Sequence, residues 1–342
     1  MEDKFADDIL EEIRDEDLPE LAKIYEEYKR EYPYIISTVR VGIEWKKSKE
    51  NGQKVIFLSP RSSWREDGTV IAIFTCSFVF FKKEIEIMQY NCCTRTSKRG
   101  QPGCPSQKTH LKSKLRQNNI PYYQFTNEAD VILCTLQESL KNLYDGIRYT
   151  RRKQFDQEMN FYSTHDKFTD LVRKACEDRN MKNTLWIKSM MVRLPIEVAL
   201  NYKITCPPEV YIERLKVRDA PQINSVWPRK YDGSEFKVST LIELNGGIGV
   251  YLKKNDKLVA WVLRDQMGQV AILQTHDDYK KNGYASLVTK ILSKELAEEG
   301  IYPFAGINVK NTASLNMFNK IGYEQIGLHT YFFMAPDMKN KL

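Results

Sequence analysis

The stretch from Gln269 to Gly300 constrains this chain more than any other. Gln269 to Gln274 reads as a strand that ends in Thr275-His276, and a polar loop, Asp277-Asp278-Tyr279-Lys280-Lys281-Asn282, comes next. Gly283 then opens a long helix in which Leu287, Val288, Ile291, Leu292 and Leu296 fall on one face. Gly300 stops it where a left-handed residue is wanted. The first turn of a helix leaves N–H groups without partners, and the macrodipole adds partial positive charge there. A glycine at the entry lets a ligand approach the backbone, and Lys280 and Lys281 add charge, so the pattern suits a phosphate. On these residues alone, a glycine-assisted turn into a core helix accounts for the pattern as well.

At 342 residues the chain is long enough for two domains. Pro207-Pro208 is the natural junction, giving halves 1–206 and 207–342. In the second half, strands are expected at 210–216, 249–252, 258–263 and 269–274. Helices are expected at 220–226, 236–244 and 284–299. Phe304 to Val309 reads as a strand, Thr312 to Lys320 as a helix, and 323–327 and 330–334 as two short closing strands. In the first half, a helix starts at Asp17-Leu18-Pro19 and ends at Pro33. Ile35 to Trp45 partly alternates and is β-branched, which suggests a strand. Val55 to Leu58 and Ala129 to Cys134 are further strands. Leu136 to Tyr144 and His165 to Arg179 read as helices, and Thr184 to Leu194 as a strand. No internal repeat is evident.

The net charge of +7 comes from 52 basic against 45 acidic side chains. Between Ile87 and Asn127 there is no Asp or Glu, but there are Arg95, Lys98, Arg99, Lys108, Lys112, Lys114 and Arg116. Removing these seven leaves 45 against 45, so one segment carries the whole excess. It also breaks the strand–helix pattern, and it reads as a mobile insertion in the first half, or as sequence not native to the fold. Basic residues there have no aromatic residue between Cys92 and Asn119, which disfavours stacking on nucleic-acid bases. Cys92, Cys93, Cys104 and His110 lack zinc-ligand spacing, and no metal site is expected. The first residues are acidic and carry no signal or transit pattern. The longest apolar run, Thr69 to Phe81, is too short to span a membrane. A cytoplasmic protein with reduced thiols is expected, with no nucleic-acid or membrane partner.

Lys280-Lys281-Asn282-Gly283-Tyr284-Ala285 resembles the Arg/Gln-x-x-Gly-x-Gly/Ala loop of the GNAT acyltransferase superfamily, with Lys at the Arg/Gln position. Asn311 and Ser314, followed by a helix and Gly322-Tyr323, resemble its later motif. The resemblance covers residues 210–334. Thr275 to Gly283 and the Leu258-Val259-Ala260-Trp261 strand are most similar to the glycine N-acyltransferase-like branch. The resemblance implies an α/β (α+β) fold with a mixed, mostly antiparallel sheet and splayed central strands, preceded by a divergent α/β half.

It also implies an acyl-CoA-dependent N-acyltransferase, with acetyl-CoA or a longer acyl-CoA as cosubstrate and a small amine or amino acid such as glycine as acceptor. The pyrophosphate would rest on N–H groups of residues 281–286, with Lys280, Lys281, Asn282, Gly283, Tyr284 and Ala285 as the loop. Leu273 and Thr275 would pair with the pantetheine arm, and an N–H near Leu273 or Gln274 would polarise the thioester carbonyl. Asn311, Ser314 and Phe318 would complete the cofactor site. Asp278 stands where the branch places a catalytic carboxylate, and His276 is a second candidate base. A helix-start acid and a structural histidine are the plainer readings of these two. Phe318 stands where many relatives carry a tyrosine acid, leaving Tyr323 or Tyr331 as substitutes. A protein or peptide N-acetyltransferase, or a CoA-binding protein without turnover, fits the same motifs.

Overall fold

The computed structural model describes residues 7–48, 53–77 and 127–338. The basic segment up to residue 126, with Cys92, Cys93, Cys104 and His110, lies outside the described residues.

The first half runs β1 (Leu10–Glu12), α1 (Leu18–Ile24), α2 (Pro33–Lys47), β2 (Gln53–Pro60), α3 (Trp64–Asp67), β3 (Val70–Ser77), β4 (Asn127–Cys134), α4 (Lys141–Tyr149), β5 (Met159–His165), α5 (Asp166–Glu177), β6 (Met181–Arg193) and α6 (Ile196–Leu200). The second runs β7 (Val210–Arg214), α7 (Ala220–Val226), α8 (Ser234–Asn245), β8 (Gly247–Leu252), β9 (Leu258–Arg264), β10 (Val270–Thr275), α9 (Tyr284–Glu298), β11 (Phe304–Asn308), α10 (Thr312–Lys320) and β12 (Glu324–Pro336). The fold is mixed α/β, as expected.

Eight strands form one sheet in the order β1-β2-β3-β4-β5-β12-β6-β11, and four form a second in the order β10-β9-β8-β7. The last strand of the chain therefore lies inside the sheet of the first half. β12 pairs antiparallel with β5 on one side and β6 on the other, and β6 pairs with β11. Each half lends its final strand to the other. Around this exchange the two halves repeat one plan: an antiparallel run of strands, a helix, a strand, a helix and the exchanged strand. The duplication is topological and left no repeat in the sequence.

Four expectations about elements are corrected. Ile35 to Trp45 is not a strand but most of helix α2. Pro33, Tyr34, Ile35, Ile36, Val39, Val41 and Trp45 are all buried in it, and a helix covered on most sides shows no clean apolar stripe. Pro33 opens this helix rather than ending α1, which closes at Ile24; proline suits a first-turn position because its missing N–H has no partner to lose. The helix expected from Leu136 starts at Lys141. The two closing strands are one 13-residue strand, β12, with a register shift between Gln325 and Gly327. β5 is an addition, a strand that the sequence pattern does not signal.

α2 bears on the functional site because it supports the turn between β9 and β10. Trp45 Nε1 donates to Asn245 Oδ1 (2.7 Å), and Asn245 Nδ2 donates to the carbonyl of Asp265 (2.9 Å). Gly268 in that turn has φ +81°, and a Cβ there would meet Ser37 Oγ of α2 at 1.8 Å. Only glycine satisfies both the left-handed backbone and the close approach. The turn holds Asp265 and Gln269 at the start of β10.

Candidate active site

β10 and β11 belong to different sheets, so the facing edges of the two strands are unpaired. Among the described residues they are tied where the Gly306 N–H donates to Gln269 Oε1 (2.9 Å), and a cavity of about 560 Å³ opens between them. β10 is bulged: its register with β9 shifts between Ala271 and Gln274, and Ile272 takes φ +48°. Beyond the bulge, the His276 N–H donates to the Val259 carbonyl (2.8 Å). Backbone direction alternates along a strand, so Thr275 and Leu273 turn their N–H and C=O groups to the open edge. Leu273 and Gln274 both line the cavity. Thr275 Oγ1 is buried with no partner among the described residues.

Past β10 the chain makes a 3-10 turn at Asp277–Tyr279 and enters α9 through Lys281 (φ +66°) and Gly283 (φ +81°). Gly283 is the N-cap and supplies no side-chain cap, and the first turn carries no acidic residue. A Cβ on Gly283 would have nothing within 4 Å. The approach to this helix start is thus open and carries no side-chain cap, the condition an anion needs. Lys280 Nζ pairs with Asp277 Oδ1 (2.5 Å), so its charge is shared with the loop. Asn282 Nδ2 donates to the Tyr279 carbonyl (3.2 Å). Tyr284 turns inward and donates to Glu209 Oε1 (2.7 Å), so its side chain anchors α9 and only its backbone faces the loop. Ala285 lies in the same first turn.

Across the cavity, Asn311 caps α10: its Oδ1 accepts from the Ser314 N–H (3.1 Å). Asn311, Ser314 and Phe318 all line the cavity. Tyr323 does not; its hydroxyl is buried against Ser293 Oγ (2.7 Å). Tyr331 does, with the Arg229 guanidinium 4.8 Å from its ring centroid. Gly306 makes room for it, since a Cβ there would meet the Tyr331 hydroxyl at 2.5 Å.

Asp278 and His276 sit apart from this lining. The Asp278 side chain is 75% exposed, and its Oδ2 lies 3.5 Å from His276 Nδ1. His276 packs edge-on to Tyr279 with 5.8 Å between ring centroids.

Several lining residues carry no signal in the sequence. Tyr162 comes from β5 of the first half, and Trp227 and Arg229 from the loop after α7. Gln269 and Tyr331 meet at the root of the slot, where Gln269 Nε2 donates to the Tyr331 hydroxyl (3.3 Å). Asp265 lies behind them, fully buried. Tyr331 is expected from the sequence as a substitute acid; no local pattern marks the others, because strand pairings distant in sequence assemble them.

The first half holds a counterpart of the slot, but it is closed. β4 and β5 pair directly at Asp130 with Asn160 and at Val131 with Phe161. The space beside them is filled by Lys237 Nζ and Gln266 Nε2, both donating to Asp130 Oδ2 (2.8 and 2.7 Å). The N-cap of α4 is Leu140, left-handed like Gly283 (φ +56°). Here, however, the Asn142 N–H donates to Gln137 Oε1 (2.8 Å), so the chain caps its own helix. Among the described residues, no cluster of His, Cys, Asp or Glu could hold a metal, and no helix is long and apolar enough to cross a membrane.

Residues 247–333, from β8 into β12, match the family model described as FR47-like protein. No curated protein matches the chain. Among solved structures, a Drosophila protein from a structural genomics programme is 18% identical, with a TM-score of 0.73 over 96% of this chain and 99% of that one. A tandem GNAT protein from the clavulanic acid biosynthesis pathway is 8% identical, with a TM-score of 0.49 over 96% and 99%. A GCN5-related N-acetyltransferase from Sphaerobacter thermophilus is 9% identical, with a TM-score of 0.44 over 95% and 94%. The Drosophila structure shares the fold over nearly the whole of both chains.

Proposed function

Starting from a GNAT-superfamily acetyltransferase fold, supported by the FR47-like match, we propose that this chain is an N-acyltransferase moving an acyl group from acyl-CoA to the amine of a small acceptor. One observation carries the reading. The slot between β10 and β11 is open, and β10 leads out of it to an uncapped helix start at Gly283. The pyrophosphate would take the N–H groups of residues 281–286. The pantetheine arm would lie along the free backbone of Leu273 and Thr275, with Asn311, Ser314 and Phe318 opposite. The thioester carbonyl would then reach the bulge, where an N–H near Leu273 or Gln274 stabilises the oxyanion.

The acceptor we propose is a glycine-like amino acid, as in the glycine N-acyltransferase-like branch. Arg229 supports this: it lines the cavity, stands over the Tyr331 ring, and no carboxylate pairs with it among the described residues. A guanidinium in that position suits the acceptor's carboxylate. Asp278 and His276 remain the proposed bases at the outer end of β10, acting on an ammonium as it enters. The test is CoA release from acetyl-, short-chain and aromatic acyl-CoAs against a panel of amino acids and amines. Turnover with amino acids supports the reading. CoA binding without release across the panel reduces the chain to a CoA-binding protein.

A further inference from the structure

We infer that Tyr162 and Asp265 form a proton relay at the root of the slot, in which Tyr162 takes the proton lost by the acceptor nitrogen and hands its own to Asp265. The inference rests on the acyltransferase reading and supplies a proton path inside the cavity, where neither Asp278 nor His276 lies.

Tyr162 lines the cavity, and its hydroxyl donates to Asp265 Oδ2 (2.8 Å). Gln269 Nε2 donates to the same oxygen, while Oδ1 accepts the N–H groups of Met267 (2.9 Å) and Gln269 (3.2 Å). Four donors therefore fix the carboxylate, and two of them, the Tyr162 hydroxyl and the Gln269 amide, belong to residues that line the slot. Asp265 is 1% exposed, and no lysine or arginine pairs with it among the described residues. A buried carboxylate without a cation is costly, and a purely structural acceptor needs no charge.

The charged and titratable groups around it are engaged elsewhere. Lys237 of α8 pairs with Asp130 of β4, and its Nζ lies 5.8 Å from the Tyr162 ring centroid. Tyr331 of β12 meets Gln269, and Arg229 stands over its ring. Burial pushes the Asp265 carboxyl up to about 6, so it is ionised at neutral pH yet basic enough to accept a proton. Burial holds the Tyr162 phenol well above its usual range, so it does not ionise alone and must give up its proton as it gains one.

The step balances. The free amine attacks the thioester carbonyl, a C–N bond forms, and the nitrogen becomes positive. Its proton passes to the Tyr162 oxygen as the Tyr162 proton passes to Asp265. The C–S bond then breaks, and the thiolate leaves with the proton returned from Asp265 through Tyr162. The products are an amide and CoA thiol, with the relay restored.

The test uses the full chain with acetyl-CoA and glycine. Tyr162→Phe removes only the hydroxyl. It is expected to lower kcat by about 100-fold or more with CoA affinity unchanged, while the melting temperature falls by only a few degrees for the lost hydrogen bond. The double variant with Asp265→Asn is expected to be no slower than the slower single variant, because the two residues act as one unit. In the wild type, kcat/KM rises through about pH 6, and this limb is missing in Asp265→Asn. Wild-type kcat in Tyr162→Phe, or a retained limb in Asp265→Asn, overturns the relay. Independently of turnover, carboxyl 13C NMR is expected to show one aspartate titrating near 6 that Asp265→Asn abolishes. If every aspartate instead titrates in the ordinary range, the relay falls. Failure of the wild type to bind CoA overturns the acyltransferase reading itself, and the relay with it.

Discussion

Gly283→Ala separates what the loop does for the fold from what it does for a ligand. Gly283 holds φ +81°, and a Cβ added there meets no atom within 4 Å. The structural cost is therefore backbone alone, about 1–2 kcal/mol for an L-residue in the left-handed region. For a chain of this size that lowers the melting temperature by a few degrees, at about 2–4 °C per kcal/mol. The space the methyl enters is the space a pyrophosphate would need. Displacing one or two charge-assisted hydrogen bonds, each worth about 1.5–3 kcal/mol, weakens CoA binding by at least about tenfold. Gly300 is the control. It lies at the other end of α9 with φ +74° and open space around its missing Cβ. Gly300→Ala is expected to show the same loss of melting temperature with CoA affinity intact. Calorimetric titration with CoA, read beside thermal melts of both variants, decides the matter. Equal CoA affinity in Gly283→Ala and Gly300→Ala refutes the loop assignment.

Arg229→Gln is expected to raise the KM for glycine about tenfold or more while leaving the KM for acetyl-CoA unchanged, as loss of one charge-assisted contact would. Glycinamide is expected to be a poor acceptor for the wild type and to lose little in the variant; steady-state kinetics with both acceptors checks this. Asp265 has its pKa raised from 3.8 to about 6, so the folded state holds this proton more tightly than the unfolded chain does. Its contribution to stability is present below about pH 4 and is lost as pH rises through about 6, a change of roughly 3 kcal/mol at about 1.4 per unit. His329 works in the other direction: burial lowers its pKa from 6.5 to about 3, so stability is lost as pH falls below 6.5. Denaturation midpoints are thus expected to change little between pH 4 and 6, where the two slopes oppose. In Asp265→Asn they fall throughout that window as pH is lowered, because the histidine is left uncompensated.

The second half is legible in the sequence because its signals are local. The apolar face of α9, its bounding glycines and the cap at Asn311 are written within a turn or two of each element. α2 reads as a strand because burial on most sides erases the periodicity that separates helix from strand. β5 leaves no clear pattern although it supplies Tyr162, and Asp265 and Gln269 read only as flanks of a glycine turn. Their importance comes from pairings such as Phe332 of β12 with Phe161 of β5, which join residues 171 positions apart. The loop residues of the candidate site are visible in the sequence. Apart from Tyr331, the residues at the root of the slot emerge only with the exchanged strands.

The exchange also explains why one slot is open and the other closed. In the first half β5 pairs with β4, so the splay ends in a ladder, and Lys237 and Gln266 of the second half fill the space beside it. In the second half β11 turns its pairing edge to β6, which leaves the facing edge of β10 unpaired and, among the described residues, the gap bridged by Gln269 and Gly306. β12 runs past both: Phe332 stacks on Phe161 of the closed half with ring centroids 4.8 Å apart, and the adjacent Tyr331 lines the open one. Because side chains alternate along a strand, one element serves a packed core with one face and a cavity with the other. The first half is thus part of the site rather than an appendage, since it supplies Tyr162 and the strand on which Tyr331 is held. Separating the halves at Pro207-Pro208 would pull β12 out of its place between β5 and β6 and dismantle the slot, even though every residue of the proposed CoA loop lies in the second half.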